Sequence, residues 1–138
     1  MEGAEGGSHF KEFLIRKGTM IRQNYAAISS VYKVSKKPLG TGSYGVVNKC
    51  IHRETGHERA VKRVSKKKIK NLMMFKQEIQ ILQRLDHPNV LKLYEYFEDD
   101  RSIYLITELC KGGELFDKIL EEECFSEKVA ARLFKQIL

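Results

Sequence analysis

No Cys-x-x-Cys pair, no apolar run of membrane-spanning length and no basic leader occur in this sequence of 138 residues. The cysteines are few, odd in number and far apart: Cys50, Cys110 and Cys124. That spacing indicates neither a disulfide framework nor a thiolate metal site, and it favours a reducing interior. Cys50 and His52 share a strand face, but a half-buried strand with a surface histidine explains them without a metal. The longest apolar stretch falls well short of the roughly 18 residues that a spanning helix needs. The start, MEGAEGGSHF, lacks the basic and apolar regions of a secretory signal. Glu2 stands where a myristoylated chain requires glycine. No internal repeat is present, and no Asp-rich calcium loop of the D-x-[DN]-x-[DN]-G type. These absences lead to the expectation of a soluble, cytoplasmic protein without a membrane span.

What is present is an ordinary share of apolar residues, 42%, with 25 Lys+Arg against 18 Asp+Glu and a formal charge of +7. A basic balance favours polyanionic partners without choosing among nucleic acid, membrane and nucleotide phosphate. The Gly-rich first eight residues read as a disordered tip. Ser8 then caps a short amphipathic helix carrying Phe10, Phe13, Leu14 and Lys17, with Gly18 as its stop. Strand patterns follow in VYKVSKKPL, GVVNKCIH and ERAVKRV, the last two joined by the turn RETGHE. A basic run, KRVSKKKIK, leads into a helix from Leu72 to Leu85. After DHPN come the strands VLKLYEYF and SIYLIT, joined by EDDR, and then helical periodicity to Leu138. Strands in hairpin succession with one intervening helix imply an α+β fold, with a largely antiparallel sheet and helices gathered at the far end.

The chemistry begins at LGTGSYGVV, which spends three glycines in nine residues. Gly40, Gly42 and Gly45 have G-x-G-x-x-G spacing, a weak signal alone. A dinucleotide fold would send the last glycine into a helix. Here it leads into β-branched strand residues, so the glycines sit at a hairpin tip whose N–H groups can close over phosphates. On the next strand, alternation puts Ala60, Lys62 and Val64 on one face. A lysine among small and β-branched residues needs an anionic partner. In the helix, Leu72, Phe75, Ile79 and Leu82 form an apolar stripe, and Glu78 falls within it. A carboxylate there is costly unless a cation meets it, and Lys62 is the candidate for an ion pair.

Gly40-x-Gly42-x-x-Gly45-x-Val47, then Ala60-Val61-Lys62, then a helical Glu78 resemble the opening of the protein kinase signature set. HPNVLKLYEYF and IYLITELCKGGELFD look like the strands and hinge that follow. ELCKGGELFDKI is most similar to calcium/calmodulin-dependent and calcium-dependent serine/threonine kinases, the plant and protozoan type in particular. The resemblance spans about residues 32–138.

It implies a five-stranded antiparallel N-lobe with helix C in residues 30–107. Residues 108–138 would be the hinge and the start of a truncated helical C-lobe, and residues 1–29 an N-terminal extension. The loop of Leu39, Gly40, Thr41, Gly42, Ser43, Tyr44 and Gly45 would cover ATP phosphates. Val47 and Ala60 would roof the adenine, and Lys62 would reach the α and β phosphates with Glu78 as its partner. Thr107 would be the gatekeeper, and backbone groups of Glu108 and Cys110 would meet the adenine edge. Glu114 would contact ribose or a basic substrate residue. Leu82 and Leu93 resemble members of the apolar stack between the lobes.

The catalytic loop H-R-D-L-x-x-x-N, D-F-G and A-P-E are missing, and His52-Arg53-Glu54 only imitates the first of these. The stretch is therefore expected to bind ATP and be inactive alone, with Mg²⁺ ligands and any calcium-binding regulatory domain outside it. The parent would phosphorylate protein Ser/Thr. A pseudokinase or regulatory nucleotide-binding module and, behind it, a basic nucleic-acid binder suggested by KRVSKKKIK are the alternative readings.

Overall fold

A computed structural model describes residues 23–24, 27–42, 45–122 and 125–138. The expected N-terminal helix at Ser8 to Gly18, Ser43, Tyr44 and Cys124 lie outside the described residues.

In chain order the elements are β1 (Gln23–Asn24), α1 (Ile28–Val31), β2 (Tyr32–Gly42), β3 (Gly45–His52) and β4 (Glu58–Ser65). A single 3-10 turn, Lys66–Lys68, precedes α2 (Leu72–Arg84), β5 (Leu93–Glu98) and β6 (Ser102–Thr107). Two helices follow, α3 (Leu115–Glu121) and α4 (Glu127–Ile137). The sheet order is β1-β5-β6-β4-β3-β2. The five longer strands pair antiparallel, as the hairpin succession predicts. The addition is β1, two residues that run parallel along Tyr96 and Phe97 of β5.

Local chemistry explains the irregular places. Pro38 has no N–H to give a ladder, and it sits on edge strand β2, where the register shifts on either side of it. The Asn48 side chain donates to the Ser35 carbonyl at 2.9 Å and satisfies an oxygen that the shifted ladder leaves over. The β5–β6 turn is closed by the Asp99 carboxylate, which accepts from the N–H groups of Arg101 and Ser102 at 2.8 and 2.7 Å. Asn71 caps α2 by accepting from Met74 N–H at 3.1 Å, which fixes where the helix starts.

Alternation divides the buried residues between the two faces of the sheet. On one face Tyr32, Cys50, Val61, Phe97 and Ile106 form a core, closed by Ile28 and Val31 of α1. On the other, Leu93, Tyr96 and Ile103 pack against Ile79 of α2, with Phe75 and Leu105 beside them. Burial pushes the Cys50 thiol up to about 11, so it sits in the core as a neutral group. His52 meets the Tyr32 ring edge-on at 5.1 Å. The imitation of a catalytic loop is likewise structural: Arg53 donates through Nε to the Ser29 carbonyl at 2.8 Å and holds α1 against the sheet.

Candidate functional site

The face that carries Lys62 opens into a cavity of about 540 Å³. Its position follows from strand register. Val47 of β3 lies opposite Lys62 of β4, and Lys62 lies opposite Leu105 of β6, while Ala60 faces Thr107. These side chains share one surface of three adjacent strands. Leu39 and Gly40 of β2 form one rim, and Glu108 to Cys110, the segment after β6, form another. Leu82 of α2 and Leu93 of β5, the two expected stack members, also line it. The cavity is thus mostly apolar, with one ammonium group, and its size is ordinary for a small-molecule site.

Of the residues singled out from the sequence, Leu39, Gly40, Val47, Ala60, Lys62, Thr107, Glu108 and Cys110 come together here. Thr41 and Gly42 are exposed on the hairpin and do not line the cavity. Gly45 lies where its backbone crosses β4: a Cβ added to it would sit 1.8 Å from the Arg63 carbonyl oxygen. Glycine is required there by close approach of two strands. Glu114 is exposed at the cap position of α3, its side chain makes no capping bond, and it does not reach the cavity.

The expected Lys62–Glu78 ion pair is not formed. Glu78 is exposed, and among the described residues neither side chain has an ion pair or hydrogen bond. Two physical reasons account for this. The buried stripe of α2 is centred on Ile79, 2% exposed, and residue 78 is turned about 100° from it. Moreover α2 rests on β5, and β6 lies between β5 and the strand that carries Lys62, so the pair needs both side chains extended toward each other. That separation is roughly 10 Å across a sheet.

Sequence reasoning missed Val90, Leu91, Leu105 and Leu109, which supply much of the apolar wall. Leu105 had a usable signal, since it shares the alternation phase of Thr107. Val90 and Leu91 were expected to begin the strand VLKLYEYF, but β5 starts only at Leu93, and both enter from the irregular segment before it. The rim after β6 is held by Glu108 N–H donating to the Lys92 carbonyl at 3.0 Å. Thr107 Oγ1 donates to the Glu108 carbonyl at 3.2 Å, and that oxygen keeps a second lone pair. The Cys110 N–H and C=O have no partner among the described residues. A ligand edge in the cavity therefore meets free backbone groups on this rim.

Lys111 reaches back from the same segment to Glu58 at 2.7 Å, and Lys49 binds the other side of that carboxylate network. The hydrogen bonds from Lys111 and Lys49 hold the Glu58 carboxyl down at about 2.

Residues 32–138 match the protein kinase domain family. Calcium-dependent protein kinase 5 of Plasmodium falciparum is 48% identical over 118 residues, 86% of this chain and 21% of the relative. Calcium-dependent protein kinase 3 of Plasmodium yoelii yoelii is 53% identical over 110 residues, 80% of this chain and 20% of the relative. The chain thus spans about a fifth of the length of these curated relatives. A crystal structure of Rad53 1-466 in complex with AMP-PNP superposes with a TM-score of 0.74 at 31% identity, covering 83% of this chain and 30% of that one. With the sheet, the helix beside it and the cavity between strands and rim, these matches show that the chain belongs to the protein kinase family and contains its N-terminal lobe.

Proposed function

We propose that the cavity binds ATP and that the whole protein transfers the γ-phosphoryl group to serine or threonine of protein substrates. The observation that carries this reading is Lys62, a lone ammonium in a mostly apolar cavity with Leu39 and Gly40 of the glycine hairpin on its rim. An adenine ring fits between the apolar walls, with the free Cys110 backbone groups and the Glu108 carbonyl along its edge. Val47 and Ala60 lie above it, Thr107 stands at the rear, and Lys62 meets the α and β phosphates. Glu114 is a carboxylate open to ribose or to a basic substrate side chain.

In this reading residues 30–107 are the N-lobe, 108–138 the hinge and start of the C-lobe, and 1–29 an extension. Mg²⁺, when bound, neutralises charge on the phosphate oxygens during transfer. Among the described residues no cluster of three or more His, Cys, Asp or Glu is placed to hold a metal. In this reading the metal ligands and the catalytic aspartate belong to residues outside this stretch. Calcium control, suggested by the relatives' names, would also reside outside it. The described helices include none long and apolar enough to cross a membrane.

Glu78 is Lys62's partner in the nucleotide-bound state. It lies on the flank of α2 that also presents Leu82 to the cavity, so a turn of the helix about its axis would swing the carboxylate toward β4. Titration calorimetry on the intact protein tests both parts. Lys62→Met is expected to lower ATP affinity at least tenfold, as loss of a hydrogen bond to a charged group costs about 1.5–3 kcal/mol. Glu78→Gln is expected to lower it less, and the double variant by less than the sum. Unchanged affinity in Lys62→Met overturns the nucleotide reading. Simple additivity retains the nucleotide site and removes Glu78 from it.

A further inference from the structure

The basic run KRVSKKKIK has no part in the nucleotide cavity beyond Lys62. On the opposite face of the sheet its residues build a second concavity of about 670 Å³. Three segments converge there: the start of β3 at Gly45 and Val46, the end of β4 with the turn after it, and the β5–β6 turn at Asp100 to Ser102. Register explains the placement. Val46 is the cross-strand partner of Arg63, as Val47 is of Lys62, so alternation sends one pair to each face. Arg63, Lys66, Lys67, Lys68 and Arg101 line this concavity against a single carboxylate, Asp100.

The positive charge is only partly used within the lobe. Lys66 is paired with Glu98 at 2.8 Å, and Lys76 of α2 meets the same carboxylate at 2.8 Å, which ties the basic turn to the helix. Burial would push Glu98 up, but the hydrogen bonds from Lys66 and Lys76 outweigh it and hold its carboxyl below the usual range. Asp99 is engaged by the Arg101 and Ser102 N–H groups and by the Tyr104 hydroxyl. Arg63 is held by a neutral group, donating to Ser102 Oγ at 3.2 Å, and stacks over Tyr104 at 5.9 Å. The Lys67 and Arg101 side chains have no ion pair among the described residues.

We propose that this concavity is a docking site for a phosphorylated peptide, binding its phosphoryl group between Arg63, Lys67 and Arg101. Two guanidinium forks suit the oxygens of a phosphate monoester, and the lysine adds a point charge. The volume suits a phosphorylated side chain with its neighbours. Nucleic acid fits less well, because the cations ring one hollow and do not track a backbone. Among the described residues no aromatic ring lines the hollow to serve as a platform for a base, and Tyr104, beside Arg63, lies outside its lining. A bilayer fits less well too, because Asp99 and Asp100 project at the same turn and no exposed apolar side chain lines the hollow.

The test is a fluorescence polarisation titration of the intact protein with a short labelled peptide bearing one phosphoserine, beside its unphosphorylated twin. The phosphopeptide is expected to bind about tenfold or more tightly, and Lys67→Glu with Arg101→Glu to abolish that difference. Arg101→Gln should reduce it by a smaller factor, and Lys33→Glu, on exposed β2 away from the hollow, should leave it intact. Circular dichroism confirms that each variant is folded. Equal binding of the two peptides, or binding indifferent to Lys67 and Arg101, overturns the proposal. So does loss of binding in Lys62→Met, which would put the peptide in the nucleotide cavity. Tighter binding of anionic vesicles or duplex DNA with the same Lys67 and Arg101 dependence would assign the site to those ligands instead.

Discussion

Lys62 and Arg63 are consecutive residues of β4, yet they serve opposite faces of one sheet. The Lys62 face is a cavity with apolar walls, one cation and free backbone groups on its rim. The Arg63 face combines an apolar core under α1 with a hollow of several cations at the outer end. An apolar wall excludes water and makes a single charge count for more, whereas an open basic hollow works by summing many screened charges. The first arrangement suits shape-selective binding of one flat ligand. The second suits a doubly charged group in varied surroundings.

Core truncations should break this comparison with the largest effects. Ile103 and Ile106, both fully buried, belong to the two different cores. Each change to alanine is expected to cost about 2–5 kcal/mol in denaturant unfolding. Ile103 packs with Leu105 and Ile79, beside the cavity, so only Ile103→Ala should also weaken ATP binding at a temperature where both variants are folded. Equal weakening by both would mean that the faces are not separable.

An intermediate effect is expected at the seam. Gly45→Ala puts a methyl group against the Arg63 carbonyl and forces β3 and β4 apart, at about 1–3 kcal/mol. Gly42→Ala meets nothing within 4 Å and should stay within about 0.5 kcal/mol of the parent. Thermal melts of the pair would show which glycine of the motif is held by packing. A similar loss in both would point to loop entropy instead.

The smallest effect concerns the rim. Glu58 is held at about 2, below its ordinary 4.5, by Lys111 and Lys49. A depressed carboxylate contributes stability that is complete above the unfolded value and is lost as pH falls from about 4.5 to about 2. Glu58 lies at the surface, so the contribution is small and screened by salt. Glu58→Gln should therefore lower Tm slightly at pH 7 and not at pH 2. A Tm difference that persists at pH 2 would remove the ion pairs as its cause.

Much of the lobe was legible before any coordinates. Period-two alternation marked β3, β4, β5 and β6 because each is half of a packed layer, and the turns carried residues that close them. The α2 stripe was legible too, but not its phase to within one residue, and Glu78 fell on the wrong side of that margin. A helix face about 100° wide holds few positions, so an error of one residue turns a buried carboxylate into an exposed one.

The sequence by itself determined the strands, the helix between them, the glycine hairpin and the lysine that follows it, because these rest on local periodicity and backbone permissiveness. Only the tertiary structure decided which residues meet. The setting of α2 on β5, with Ile79 inward, turns Glu78 outward, so the expected ion pair is open. Cross-strand register added Leu105 to the cavity wall, and the approach of three separate turns gathered Arg63, Lys67 and Arg101 into one hollow. Such meetings depend on how strands are ordered and registered across a sheet, and no local pattern along the chain encodes that distance.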